Sequence, residues 1–399
     1  MDGTFESEES FEVEVFNGQL YLGMEADNSL GARLWRSRRG VYAPMSQADW
    51  EEVAAAANGD PFGNANREQN DHIDSLAVFG EHLYVSTANR GLSQWGINLY
   101  RSPSGNPGTW QNVLANQGAG FGNSANVNFK DMVVFQGYLC GGTQNWDDGA
   151  QVWCSQDGLS WRQMNISGFG EGAANPANRA IWSSMVFQDA LYFGVQNRGN
   201  LPDDSSDDVG IAFRTYQLND NPQWEKVFSG SAAKENRVDL LGELEGYLYL
   251  ATRSDQEILI YRSPSGDAGS WQLVSLPGID QNSANGLVPV DGAVIYDGML
   301  YIAISNDEGF QLWRTKGELQ GDGGVDWQQI GGDGLGDTRN SRAELIVFNN
   351  HLYAWVTNYY SGQKVLRSHC LPCPDGQTEC EIWLPDLPYR AYFPFISGK

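Results

Sequence analysis

The residues able to do chemistry fall into three groups. Asp203, Asp204, Asp207 and Asp208 place four carboxylates within six residues. Oxygen ligands at that density suit calcium, and a solvated loop would give the same pattern, since no EF-hand spacing is present. The second group sets aromatics beside amides and charges: Asn145, Trp146 and Asp147; Asn197, Arg198 and Asn200; Asn306; and Asn358, Tyr359 and Tyr360. Flat rings flanked by hydrogen-bonding groups suit stacking against sugars, and loop packing uses the same residues. The third group is the cysteines. Cys370, Cys373 and Cys380 follow His369 with ligand types for zinc, but a second Cys-x2-Cys or a spaced His pair is missing. A disulfide stapling that loop is the favoured reading. Cys140 and Cys154 fall on neighbouring strands, where a cross-strand disulfide and two buried thiols both fit.

Other chemistries leave no trace. Gly-x-Ser-x-Gly, His-Glu-x-x-His, a phosphate loop and a dinucleotide fingerprint are all missing from the sequence. Paired carboxylates for glycoside hydrolysis are available, but 50 acidic residues are too many to select a pair. Against 25 basic residues they give a net charge of −25, which repels phosphate backbones and argues against nucleic acid as a partner. No stretch has the roughly 20 apolar residues of a membrane-spanning helix. The start, Met1-Asp2-Gly3-Thr4, does not read as a signal peptide.

What must position these residues is a repeat. Seven times the chain runs apolar strand, tight turn, Leu-Tyr, a small-residue end, a variable loop, aromatic-Arg-Ser, a turn, and Trp. The closing Trp recurs as Trp50, Trp110, Trp161, Trp224, Trp271, Trp327 and Trp383, at intervals of 47 to 63 residues. Turn pairs such as Asn17-Gly18 and Asp297-Gly298 favour the positive φ angles of two-residue hairpins. First strands are expected at 11–16, 75–79, 132–135, 184–187, 240–244, 293–296 and 344–348. The Trp is expected to pack between units, and the repeated Arg of the third strand to be structural. Four strands per unit predict an all-β fold, a seven-bladed β-propeller of four-stranded antiparallel blades. One domain then covers residues 1–388, with units at about 11–66, 75–126, 131–178, 181–236, 240–285, 290–340 and 342–388. Residues 389–399 form a C-terminal tail.

The turn Ser155-Gln-Asp157-Gly158-Leu-Ser-Trp161 resembles the Asp-box of sialidase-like propellers, one residue shorter between Asp and Gly. In that family the box is a structural turn. More broadly the chain resembles bacterial secreted or cell-surface repeat propellers built on Phe-x-Gly-x-Leu-Tyr-x-Gly-Thr, a group largely without assigned activity. The tail resembles aromatic-proline tails of secreted bacterial proteins. The expected function is a non-catalytic extracellular propeller, secreted or on the cell surface. It would bind carbohydrate or protein on its loop-rich face, with no required cofactor beyond the calcium candidate. The alternatives are a glycan-active hydrolase or lyase centred in the funnel, and a structural subunit of an extracellular assembly.

Overall fold

The computed structural model describes residues 10–25, 31–54, 70–89, 96–199, 208–231, 235–253, 258–286, 290–321, 323–368 and 391–392. Its strands pair antiparallel in chain order, four to a unit. Five sheets are four-stranded, and a sixth of eight strands joins the third and fourth units through the Gln144–Ala180 pairing. The first strands of successive units touch one another in turn, and the last of them, Arg342–Phe348, returns to the first, Ser10–Phe16. Side chains fasten that return. Trp355 Nε1 donates to the Gly23 carbonyl, and Arg367 Nη1 to the Ala43 carbonyl. The first strands therefore ring a central axis.

The hairpin turns are as the sequence predicts. Asn17 and Gly18 have φ of 52° and 71°, and Asp297 and Gly298 have 49° and 70°. The apolar faces of neighbouring sheets meet in clusters such as that of Leu241, Tyr249, Ile260, Ile302 and Trp313. The closing Trp residues bridge units. Trp224 Nε1 donates to the Met164 carbonyl, Trp271 Nε1 to Val227 and Trp327 Nε1 to Val274.

The Leu-Tyr and aromatic-Arg words of the repeat form one device. Tyr21 lies opposite Arg36, Tyr192 opposite Arg214 and Tyr249 opposite Arg262. Each Arg donates to its Tyr hydroxyl and to a turn carbonyl of the next unit: Arg36 to Ser104, Arg214 to Ser265 and Arg262 to Gly317. The receiving turn needs glycine. At Gly158, with φ of 67°, a Cβ would overlap the Tyr84 hydroxyl. In the third unit Cys140 and Cys154 occupy the Tyr and Arg positions, directly opposite in register, and are joined as a disulfide.

Several first strands run further back than the sequence suggests. They begin at Ile73, Asn128, Asn178, Arg237, Val290 and Arg342. The fourth strand of the last sheet is Ala391–Tyr392, from the segment read as tail, and it pairs with Lys364–Arg367. Trp383, His369, Cys370, Cys373 and Cys380 lie outside the described residues. Among the described residues no helix is long and apolar enough to cross a membrane.

Candidate active site in the central channel

Among the residues added at the starts of the first strands are Asp74, Lys130, Asp131, Arg237 and Asp239, which pair with or feel the charge of one another. β-Bulges place several of them. The pairing of Ile73 with Thr87 and Ser75 with Ser86 leaves Asp74 as the extra residue of its strand. Another register shift falls between Lys130 and Val133, where Asp131 has φ of 52°. A third leaves Trp182 between the pairs of Ile181 and Ser183. A bulge re-aims the side chain it displaces, which is why such defects collect at sites.

Asp74 is fully buried and takes four donors. They are His72 Nε2 at 3.0 Å, Lys130 Nζ at 3.1 Å, Asn128 Nδ2 at 2.7 Å and the Phe129 N–H at 3.1 Å. Burial works to raise its pKa, but the Lys130 and His72 charges and these bonds hold it well below the ordinary carboxylate range. Burial likewise opposes charging His72, yet Asp74 and Asp71 raise its pKa. Glu25, Asp71 and His72 hold one potential metal-ligand atom each within 4.8 Å of one another. Both His72 nitrogens already face carboxylates, Asp71 on one side and Asp74 on the other.

Asp131 is tuned the opposite way. Burial raises its pKa to about 6; hydrogen bonds from Ser184 oppose the rise, and the charge of Asp239 adds to it. Glu12 is raised well above the ordinary value, first by burial, with Lys130 opposing and Asp131 and Asp74 adding repulsion. Asp239 keeps its place through Arg237, whose Nε and Nη2 reach Oδ1 at 2.8 and 2.6 Å. The Arg237 guanidinium lies 4.2 Å above the Trp182 ring, and Lys130 Nζ is 5.2 Å from the same ring. Arg342 and Glu344 add a looser pair at 3.7 Å. Carboxyl groups of opposite tuning thus share one channel, the arrangement by which a site keeps one acid protonated beside another that is ionised.

The residues expected on the loop-rich face lie elsewhere, and the amides among them hold loops together. Asn145 donates to Asn126 at 2.9 Å and accepts from the Asp147 and Asp148 N–H groups. Asn197 donates to Asn178, Asn306 to Asn285 and Asn358 to Asn340, at 2.7 to 2.9 Å. Arg198 reaches buried Asp208 at 3.4 Å. Asn200, Asp203, Asp204 and Asp207 lie outside the described residues. Trp146 is exposed under Arg179, and Tyr359 and Tyr360 are exposed beside Asn358. Asp157 does what the Asp-box resemblance implies: it accepts from Ser155 Oγ and from the Leu159 and Ser160 N–H groups.

The sequence carried one signal for the channel acids. Glu12, Asp74, Asp131, Asp239 and Glu344 stand at the start of the first strand in five units. Ending those strands at the first apolar residue hid most of them.

Comparison with known proteins bears on the fold. No family model matches the chain, and no curated protein does. Among solved structures, puromycin hydrolase matches with a TM-score of 0.53 at 12% identity, over 90% of this chain and 51% of its own. The β-propeller domain of the Trilobed protease from Pyrococcus furiosus matches with a TM-score of 0.51 at 10% identity, over 90% and 95%. A Trypanosoma rangeli sialidase gives 0.45 at 13% identity, over 91% and 54%. The fold is a β-propeller. The chain spans about half the length of the matched puromycin hydrolase and sialidase chains. These matches correct the expectation of a non-catalytic binding propeller. The matched propellers come from proteins named hydrolase and protease, and the channel holds acids of opposite tuning.

Proposed function

We propose that this protein is a seven-bladed propeller that hydrolyses glycosidic bonds in its central channel. The observation that carries the reading is Asp131, whose pKa is raised to about 6 by burial and by the neighbouring charge of Asp239. A carboxyl group poised there can protonate a leaving oxygen near neutral pH. Asp239, steadied by Arg237, serves as the second carboxylate. In the hydrolytic step the Asp131 proton passes to the glycosidic oxygen as the C1–O bond breaks. A water molecule forms the new bond to C1 and gives its proton to Asp239. Lys130 and His72, fixed by Asp74, offset the acidity around the reacting centre. Glu12, whose pKa burial raises, is a further carboxyl group within the channel.

The matched hydrolase and protease propellers support an enzymatic role, and a carboxyl acid beside a carboxylate base is the pair that glycosidic hydrolysis uses. The Cys140–Cys154 disulfide favours an oxidising, extracellular setting. The test is a panel of chromogenic glycosides and polysaccharides assayed with wild type, Asp131→Asn and Asp239→Asn. Turnover in wild type and its loss in both variants supports the assignment. Turnover that survives both substitutions, or none on any member of the panel, removes it.

A further inference from the structure

A second site lies between the last two blades on the loop-rich face. A cleft of about 660 Å³ is bordered there by Asp307, Glu308, Asp333, Arg339, Tyr359 and Tyr360, together with Thr338 and Ser341. That volume suits a small oligosaccharide segment. Its walls come from three loops, and their placement is firm. Asn358 Oδ1 accepts the Tyr360 and Ser361 N–H groups, and Asn306 Oδ1 accepts that of Glu308. The two tyrosines are 45% and 68% exposed, so the turn presents two large rings to solvent. Ser341 Oγ has no hydrogen-bond partner among the described residues.

The charge of the cleft selects the ligand. Three carboxylates face a single cation, Arg339, which is itself held by Asp337 at 3.1 Å. Asp337 also takes Lys364 Nζ at 2.8 Å, so both nearby cations are occupied. An anionic ligand meets repulsion here, and a neutral sugar gains hydrogen bonds from its hydroxyls to the carboxylates but no charge attraction. A cation gains from both the carboxylates and the ring faces, and the Arg339 guanidinium 5.9 Å from the Tyr360 ring already shows the rings' affinity for positive charge. We propose that this cleft binds a glycan bearing free amino groups, with the ammonium among Asp307, Glu308 and Asp333 and a sugar ring against Tyr359 or Tyr360. The proposal does not depend on the channel chemistry.

Calorimetry with a fully deacetylated glucosamine tetramer, its N-acetylated counterpart and tetralysine tests it. The deacetylated sugar is expected to bind about tenfold tighter than either of the others, with affinity falling as salt rises. Tyr360→Ala is expected to weaken it about three- to tenfold, and Asp307→Asn with Glu308→Gln to erase the preference for the amine. All three positions are surface residues, and unchanged melting curves confirm that the variants fold. Asp131→Asn is expected to bind as wild type does, which separates this cleft from the channel. Equal binding of the two sugars, no binding, or unaltered binding by both cleft variants overturns the proposal. Tetralysine binding as tightly as the amino sugar overturns the assignment to a glycan.

Discussion

Replacing Asp131 by Asn should stabilise the protein above pH 6 while it disables the proposed acid. The folded protein raises this carboxyl from its ordinary 3.8 to about 6. Between those values the folded state binds a proton that the unfolded state has released. Stability therefore falls as the pH climbs through that window, and the full cost is present above 6. At ~1.4 kcal/mol per tenfold change in proton affinity the cost is about 3 kcal/mol. Asn keeps an oxygen to accept the Ser184 N–H and carries no charge, so it removes the cost without orphaning that donor. For a chain of 399 residues, with an unfolding entropy of about 2 cal/mol/K per residue, the gain amounts to about 4 °C in melting temperature at pH 7.5. At pH 4 the two proteins should melt together. Scanning fluorimetry across pH 4 to 8 reads the difference directly. A variant that melts lower at pH 7.5, or a difference that does not change with pH, refutes the argument that Asp131 is held protonated.

Three further outcomes follow from the scaffold. Asp74→Asn leaves Lys130 and His72 without their buried counter-ion and should cost about 3–5 kcal/mol at neutral pH; because Asp74 is held below its ordinary value, denaturant titrations should show the penalty fading as the pH falls below 3.8. Gly158→Ala forces a Cβ into the Tyr84 hydroxyl and should destabilise by about 2 kcal/mol or more, whereas Gly332→Ala, with open space around it, should sit within about 0.5 kcal/mol of wild type in chemical unfolding. Cys140→Ser should lose about 3 kcal/mol, the value for a loop closed over a separation of 14 residues, and Cys140→Tyr with Cys154→Arg should recover part of it by restoring the pair that the other blades use.

Much of this architecture can be read from the residues because propeller blades repeat their local rules. Asn-Gly and Asp-Gly turns, the Leu-Tyr strands and the closing Trp each carry a local physical signature, and the structure places them accordingly. The partner of the repeated Arg was not legible. Its Tyr is a register mate across two strands and its carbonyl lies in the next blade, so neither neighbour is near in sequence. The channel was hidden for a related reason. Asp74, Asp131 and Trp182 are displaced by bulges, and an irregular strand breaks the alternation by which inward positions are recognised. The repeated Asn of the loop face misled in the other direction. It looks like a binding residue because it recurs, and four unit junctions use it in the same amide pair, as between Asn358 and Asn340.

The central claim is that a protonated carboxyl in the channel drives hydrolysis, and the pH dependence of the rate tests it most directly. On any glycoside the wild type turns over, kcat/KM should fall as the pH rises through about 6, where Asp131 loses its proton. Asp131→Asn should lower kcat by about a hundredfold or more and lose that falling limb. A wild-type rate that rises through pH 6, or an Asp131→Asn protein with the same rate and the same profile, would contradict the account.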